Sequence, residues 1–253
     1  MTADTEEVLG DALKTRGEKL HYIYDPTSSW KVVLAGAGDL DYILMVRDFI
    51  EDKLKASKGN DADIIEAIRD SVHEIWRDYA RFEPGANVQL KLLIGSWSND
   101  GALRFTVVSG AAVRTGRQIE AMGIGDATFL GMADRFLPRG FLLPYTVGDT
   151  EALRVFMIYA AQAAKQVPGV GGMTRVITLD LHGNLKYEKS FKVIEVQRFF
   201  GNFHDNISQI FSGFIGDQKN PEETVKIMGR KLIKDIRALR KKLAEIEANP
   251  ALL

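Results

Sequence analysis

A hairpin-like run that leads directly into a helix constrains the fold of this chain more than any other feature. Two short strand-like segments, 20–24 and 31–35, flank the turn-rich Asp25-Pro-Thr-Ser-Ser29, because β-branched and aromatic residues surround a Pro/Ser cluster. The second segment continues into Ala35-Gly36-Ala37-Gly38, and helical spacing of apolar residues begins at Asp39. The sequence therefore predicts a β-hairpin, a glycine-containing strand end and a helix, in that order.

Strand and helix signals then follow one another in blocks. The turn Asn99-Asp-Gly101 is a strong hairpin signal within a strand-rich region. Blocks of strands and helices favour an α+β protein with antiparallel sheets over a doubly wound parallel sheet. A four-layer αββα sandwich would bury both sheet faces and fits this order. The patterns predict helices over 40–54 and 64–79, strands over 88–96, 102–109, 111–115 and 117–122, helices over 126–136 and 149–165, and strands over 173–181 and 185–192.

The C-terminal region is predicted to be a helical extension. One apolar stripe runs through 224–248, and lysines and arginines cover the rest of that helix. We favour a solvated helix that docks through its apolar stripe over a nucleic-acid or membrane role, because runs of charge are usually solvated faces. The predicted organisation is a domain over 1–192 and a helical extension over 193–253.

Composition excludes several classes of function. Lys plus Arg is 33 and Asp plus Glu is 34, for a net charge of −1, so bulk charge gives no case for nucleic acid or an anionic membrane as a partner. The chain has no cysteine, which excludes disulfides, thiolate metal sites and cysteine catalysis. No apolar run approaches the roughly 18 to 20 residues that span a bilayer, and the first residues do not resemble a signal peptide. We expect a cytoplasmic protein.

Lysine at the head of the first hairpin strand, with glycines at the end of the second, resembles the proteasome β-subunit-like (20S type) N-terminal nucleophile (Ntn) hydrolases. The passage Thr2-Ala3-Asp4-Thr5 is similar to the one that precedes the lysine strand in that family. The resemblance implies that Lys19 is the catalytic lysine and that Asp4 orients it. It also implies that Ala35, Gly36, Ala37 and Gly38 contact substrate and offer backbone N–H groups as an oxyanion hole.

The family nucleophile is an N-terminal threonine, which uses its own amine as general base. We expect that the strand carrying it is missing upstream of Asp4, so that the chain is truncated or inactive as given. Thr2 is rejected as a substitute, because it lies only two residues before Asp4 and would sit on the wrong strand. Other departures from the family pattern are Glu6, Ile124, Val167 and Val170.

Two main functions follow from the resemblance. The first is a threonine-type peptidase that cleaves peptide bonds by acyl transfer, with a peptide or protein as substrate. The second is a non-catalytic structural or regulatory subunit of an Ntn-type ring, with copies of itself or ring partners as neighbours. An Ntn acylase for a small amide is a third. No cofactor or metal is expected, because the four histidines are scattered without ligand spacing and no dinucleotide or serine-hydrolase motif is present. The histidines are His21, His73, His182 and His204.

Overall fold

The computed structural model describes residues 1–3, 6–9, 13–16, 19–82, 90–116, 120–123, 125–136, 147–166, 173–215 and 221–248. The protein is α+β and divides into two compact units, Met1–Tyr187 and Glu188–Leu253. The first unit contains β1 (Thr2–Ala3), β2 (Glu6–Leu9), β3 (Leu13–Arg16), β4 (Leu20–Tyr24), β5 (Lys31–Gly38), α1 (Leu40–Lys55), α2 (Asp61–Phe82), β6 (Leu90–Trp97), β7 (Leu103–Ser109), β8 (Ala112–Thr115), α3 (Asp126–Phe136), α4 (Val147–Ala164), β9 (Arg175–Leu179) and β10 (Leu185–Tyr187); the second contains α5 (Ser190–Ile215) and α6 (Pro221–Ala248).

A five-stranded antiparallel sheet in the order β4-β5-β6-β7-β8 forms the centre of the first unit. The predicted β4–β5 hairpin is confirmed, with Leu20 opposite Ala35. The predicted turn at Asn99-Asp-Gly101 is also confirmed, since it joins β6 to β7 and Gly101 has a φ of 81°. Glycine adopts this left-handed conformation without the steric cost that other residues carry.

Side chains alternate between the two faces of this sheet, as the period of a β-strand requires. On β5, Val32 and Leu34 face α1 and α2 and are buried with them. Their neighbours Val33 and Ala35 belong to a second apolar cluster, which includes Ile177 of β9. One face of the sheet is therefore covered by two helices, and the other packs on a different set of strands.

Those strands form a smaller antiparallel sheet in the order β1-β9-β10. Thr2 lies opposite Val176, and Leu185 lies opposite Leu179. Helix α4 packs beside β1 and β9, and the Nε of Arg154 donates to the hydroxyl of Thr178 at 3.1 Å. Strands β2 and β3 pair separately as a two-stranded ribbon. The sequence patterns did not predict this ribbon.

Local chemistry sets the limits of the two helices on the large sheet. Asp39 caps α1, its side chain accepting from the backbone N–H of Asp41. The residues that α1 buries recur three and four positions apart, which gives one continuous stripe. At the start of α2, the side chain of Asn60 accepts from the N–H of Asp63, and the Asp63 carboxylate accepts from the N–H of Asn60.

Two predicted strands are wrong in part. The segment 185–192 is a strand only to Tyr187, and α5 begins at Ser190, because Val193 and Val196 are buried at helical spacing. The prediction over 117–122 falls partly on residues 117–119, outside the described residues. Residues 120–122 belong to no strand, and Met122 instead packs against the apolar cluster between the sheets.

The second unit is a pair of long helices that pack on each other. Helix α6 buries Ile246 and half-buries Leu232, Leu239 and Leu243 along one stripe. Its lysines and arginines are exposed. Within the parts of the chain that the structure describes, no helix has the length and apolar character that crossing a membrane requires.

Candidate functional site

The lysine and glycine singled out by the sequence meet at one end of the five-stranded sheet. The backbone N–H of Gly36 donates to the carbonyl of Lys19 at 2.9 Å, which extends the β4–β5 ladder by one pair. This N–H group therefore already has its hydrogen-bond acceptor within the sheet. An oxyanion donor in this segment would have to be another N–H group, because one amide hydrogen satisfies one good acceptor.

Packing alone accounts for the glycine at position 36. A Cβ added to Gly36 would lie 2.6 Å from Cδ1 and 2.8 Å from Cγ1 of Ile43, the first buried residue of α1. Because interiors are packed as densely as organic crystals, such an overlap forces the helix or the strand to move. Gly36 lets α1 approach the sheet at this point.

Strand pairing also fixes which face Lys19 occupies. The missing Cβ of Gly36 points to α1, and paired residues of an antiparallel ladder direct their side chains to the same face. The Cβ of Lys19 is therefore on the α1 face of the sheet. Ala35 belongs to the apolar cluster on the other face, the one that contains Ile177. The predicted site residues thus share an end of the sheet but are divided between its two faces.

A loop segment before α3 covers the other face at this end. Gly123 has a φ of 99°, and a Cβ added there would lie 3.8 Å from the Cβ of Ala37. An ion pair of 2.7 Å between Arg114 and Glu120 fixes the start of this segment, and the hydrogen bond from Arg114 to the Glu120 carboxylate raises the pKa of Arg114. Sequence reasoning missed both residues of this pair. Six positions separate them across a glycine, and no helical or strand period links them.

Asp4 lies outside the described residues, so its distance from Lys19 is not part of this geometry. The roles of Asp4, Lys19 and the segment from Ala35 to Gly38 stay predictions. Among the described residues, no three His, Asp or Glu side chains form a cluster that could hold a metal ion. The described part of the site therefore consists of the strand end at Gly36 and the adjoining Lys19.

Comparison with known proteins gives a fold and no sequence family. No protein-family model and no curated protein matches the chain. Among solved structures, Anbu (ancestral beta-subunit) from Yersinia bercovieri matches with a TM-score of 0.64 and 14% identity, over 87% of this chain and 94% of that chain. Anbu from Hyphomicrobium sp. strain MC1 matches with a TM-score of 0.60 and 15% identity, over 83% and 91%. The Anbu complex from Pseudomonas aeruginosa, solved as a helical assembly, matches with a TM-score of 0.62 and 14% identity, over 82% and 90%.

These matches overturn the sequence-based assignment to the 20S type of proteasome β subunit, because the matching structures are Anbu proteins. The error has a physical origin. A glycine under a close helix is a requirement of packing, as Gly36 and Ile43 illustrate. Such residues indicate the fold and do not distinguish subunit types that share it. The matches therefore show the fold that this chain shares with the Anbu structures.

Proposed function

We propose that this chain is an architectural subunit of a self-assembling, proteasome-like complex. The observation that carries the proposal is the extent of the fold likeness, which spans 82% of this chain and 90% of a protein solved as a helical assembly. A backbone likeness that covers most of both chains supports a comparable subunit role for this chain. We expect neighbours in the complex to be further copies of this chain.

The proposed architecture is the four-layer αββα sandwich of the Ntn fold. In it, α1 and α2 form the first layer, the five-stranded sheet the second, the β1-β9-β10 sheet the third, and α3 and α4 the fourth. The two apolar clusters on either side of the large sheet and the contact of α4 with β9 support this arrangement. We retain the predicted division into a domain over 1–192 and a helical extension over 193–253 as part of the proposal, and place the complex in the cytoplasm.

The contacts of Gly36 with Ile43 and Lys19 favour an architectural role over a catalytic one. Gly36 serves the packing of Ile43, and its N–H is used by the Lys19 carbonyl. Strand pairing directs the Cβ of Lys19 to the α1 face. The described contacts of Gly36 are those that the fold itself needs, which supports an architectural role.

The proposal is tested by the mass of the purified chain in solution. Native mass spectrometry should show a species several times the 28.2 kDa of one chain. Negative-stain images of that species should show rings or helical turns of repeated subunits. A chain that remains a monomer at every concentration tested would contradict the proposal.

A threonine-type peptidase is the second candidate, favoured by the approach of Gly123 to Ala37 at the end of the sheet where Lys19 lies. In this mechanism Lys19 lowers the pKa of a hydroxyl nucleophile, which attacks a peptide carbonyl. The amide C–N bond breaks and the amine leaves with the hydroxyl proton; water then hydrolyses the acyl-enzyme and restores the hydroxyl. Removing the lysine from such a site should lower the rate of peptide turnover by about 10²–10⁴-fold.

Fluorogenic peptide turnover by the assembled chain tests this second candidate. Lys19→Met should lower turnover by about 10²–10⁴-fold, and the matched change Lys58→Met, at an exposed loop lysine, should leave it unchanged. Absence of turnover in the unmodified chain would show that the chain as given is not a peptidase, and equal turnover in Lys19→Met would show that Lys19 is not catalytic. Either result leaves the architectural subunit.

A further inference from the structure

The outward face of α6 carries a row of cations centred on an exposed isoleucine. Between Lys226 and Lys242 the helix has eight lysines or arginines and one acidic residue, Asp235. Lys226, Arg230, Ile233 and Arg237 follow one another at helical spacing and are all exposed. We call these four residues the α6 stripe.

The α6 stripe has no partner within the described chain. Ile233 is 52% exposed. Over the described residues, no ion pair involves Lys226, Arg230 or Arg237, whereas Lys242 does pair with Glu195 at 2.8 Å. Long cationic side chains around an exposed apolar residue make a surface suited to an acidic surface with an apolar centre.

The outward face of α1 has the opposite charge in the same arrangement, with acidic residues around an exposed methionine. Asp41, Met45, Asp48 and Asp52 follow one another at helical spacing, on the side of α1 away from its buried stripe. Met45 is 43% exposed, and the side chains of Asp48 and Asp52 are 54% and 77% exposed. Arg47 contacts Asp48, and Lys55 approaches Asp52 at 4.0 Å, so the acidic charge is partly balanced locally. We call Asp41, Met45, Asp48 and Asp52 the α1 stripe.

The two stripes match residue by residue when the helices run antiparallel. When Met45 is placed opposite Ile233, Asp48 comes opposite Arg230. Asp48 lies three residues after Met45, and Arg230 lies three residues before Ile233. On the same alignment each remaining anion of the α1 stripe also meets a cation. These pairs are Asp41 with Arg237 and Asp52 with Lys226.

We propose that the α6 stripe of one copy of this chain binds the α1 stripe of a second copy, as an antiparallel helix pair with Met45 and Ile233 at its centre. The contact joins different surfaces of the two copies, so it is head-to-tail and generates a ring or a helical filament. The inference rests on the proposed self-assembly and identifies the surfaces that produce it. Apolar centres favour a protein partner over a nucleic acid, which offers a uniformly charged backbone.

A charge exchange between two full-length variants tests this contact. One variant carries Lys226→Glu and Arg230→Glu, and the other carries Asp48→Lys and Asp52→Lys. Each variant alone places like charges in the contact and should lose assembly. Mixed in equal amounts they should recover it as an alternating assembly, because every contact then joins opposite charges. Native mass spectrometry of an isotope-labelled variant with an unlabelled one reads the alternation directly.

A matched control separates this contact from a general effect of charge. Glu66→Lys with Asp70→Lys makes the same charge change at the same spacing on the exposed face of α2, and should assemble as the unmodified chain does. Circular dichroism should show all three variants folded, since each altered side chain is exposed on a helix surface.

The possible outcomes separate failure of this contact from failure of the proposed self-assembly. If the unmodified chain is a monomer, the proposed self-assembly fails and the contact fails with it. If the unmodified chain assembles and the mixture of variants does not, the contact alone is overturned. Assembly that persists in the Lys226→Glu, Arg230→Glu variant, together with loss of binding to a heparin column, would also overturn it and would assign the α6 stripe to a polyanion.

Discussion

The central sheet and helix α6 place their large apolar residues in opposite environments. In the sheet, Leu34 and Ile94 are fully buried between neighbouring strands and helices. In α6, Ile227 and Ile233 are 57% and 52% exposed. Burial of an aliphatic side chain is the main source of folding free energy, so the sheet residues specify the fold. Ile227 and Ile233 contribute little to folding and remain available to a partner.

Charge follows the same division. Arg104 of the large sheet forms an ion pair with Asp61 at the start of α2, two groups that fix the position of a helix against a strand. The cations of the α6 stripe have no such role in the described chain. The Arg104–Asp61 pair holds two elements of the first unit together, whereas the α6 stripe presents its cations outward.

The largest expected difference between the two regions is in the cost of removing an isoleucine. Ile94→Ala should lower the free energy of unfolding by about 2–5 kcal/mol, because it leaves a cavity in the packed sheet. Ile233→Ala should change it by less than about 0.5 kcal/mol, as expected for an exposed position. Urea unfolding followed by far-UV circular dichroism reports on both units, because each contains helices. Similar costs at both positions would break the comparison.

A second prediction concerns two glycines on adjacent strands. Gly36→Ala should destabilise the protein by about 1–3 kcal/mol, because its Cβ overlaps Ile43. Gly95→Ala should be neutral or stabilising by up to about 1 kcal/mol, since the nearest atom to its Cβ is Met1 Cε at 3.9 Å.

Adding Ile43→Ala to Gly36→Ala should cost less than the sum of the two single changes, because the shortened side chain makes room for the new methyl group. The urea midpoints of the single and double variants measure this. Additive costs would show that Gly36 has another role, such as the substrate contact predicted from the sequence.

The smallest effect is a pH dependence at the turn between β9 and β10. Burial raises the pKa of Asp180, but hydrogen bonds from the Asn184 side chain and from the N–H groups of Asn184 and His182 outweigh it and lower the pKa. Since the folded pKa is below the unfolded value of about 3.9, the stabilisation is present above that pH and is lost as pH falls through the folded pKa.

Asp180→Asn should therefore be less stable than the unmodified chain at pH 6, and the difference should shrink toward pH 3. Thermal unfolding at both pH values measures it. A difference that grows on acidification would contradict the assigned hydrogen bonds.

Sequence patterns were sufficient for elements whose signal is local. The hairpin over 20–24 and 31–35 follows from its turn residues, and α1 follows from its apolar period and the cap at Asp39. The helix at Asp126–Phe136 was predicted at its observed bounds. Segment 185–192 was harder, because a short alternating run passes into a helix within three residues.

The candidate site was less accessible to sequence reasoning. Position 36 was predicted to contact substrate, but the approach of Ile43 depends on the crossing of a helix and a sheet, which no local pattern encodes. The face on which Lys19 lies depends on its pairing partner, and a shift of one residue in register would reverse it. Contacts that require three-dimensional packing therefore remained beyond prediction.

Sedimentation velocity of the unmodified chain tests the central claim, self-assembly through its surface, most directly. The account predicts a species several times heavier than 28.2 kDa that dissociates as salt rises, because ions screen the contacts between the α6 and α1 stripes. A single 28.2 kDa species at low salt across a wide range of concentrations would contradict it.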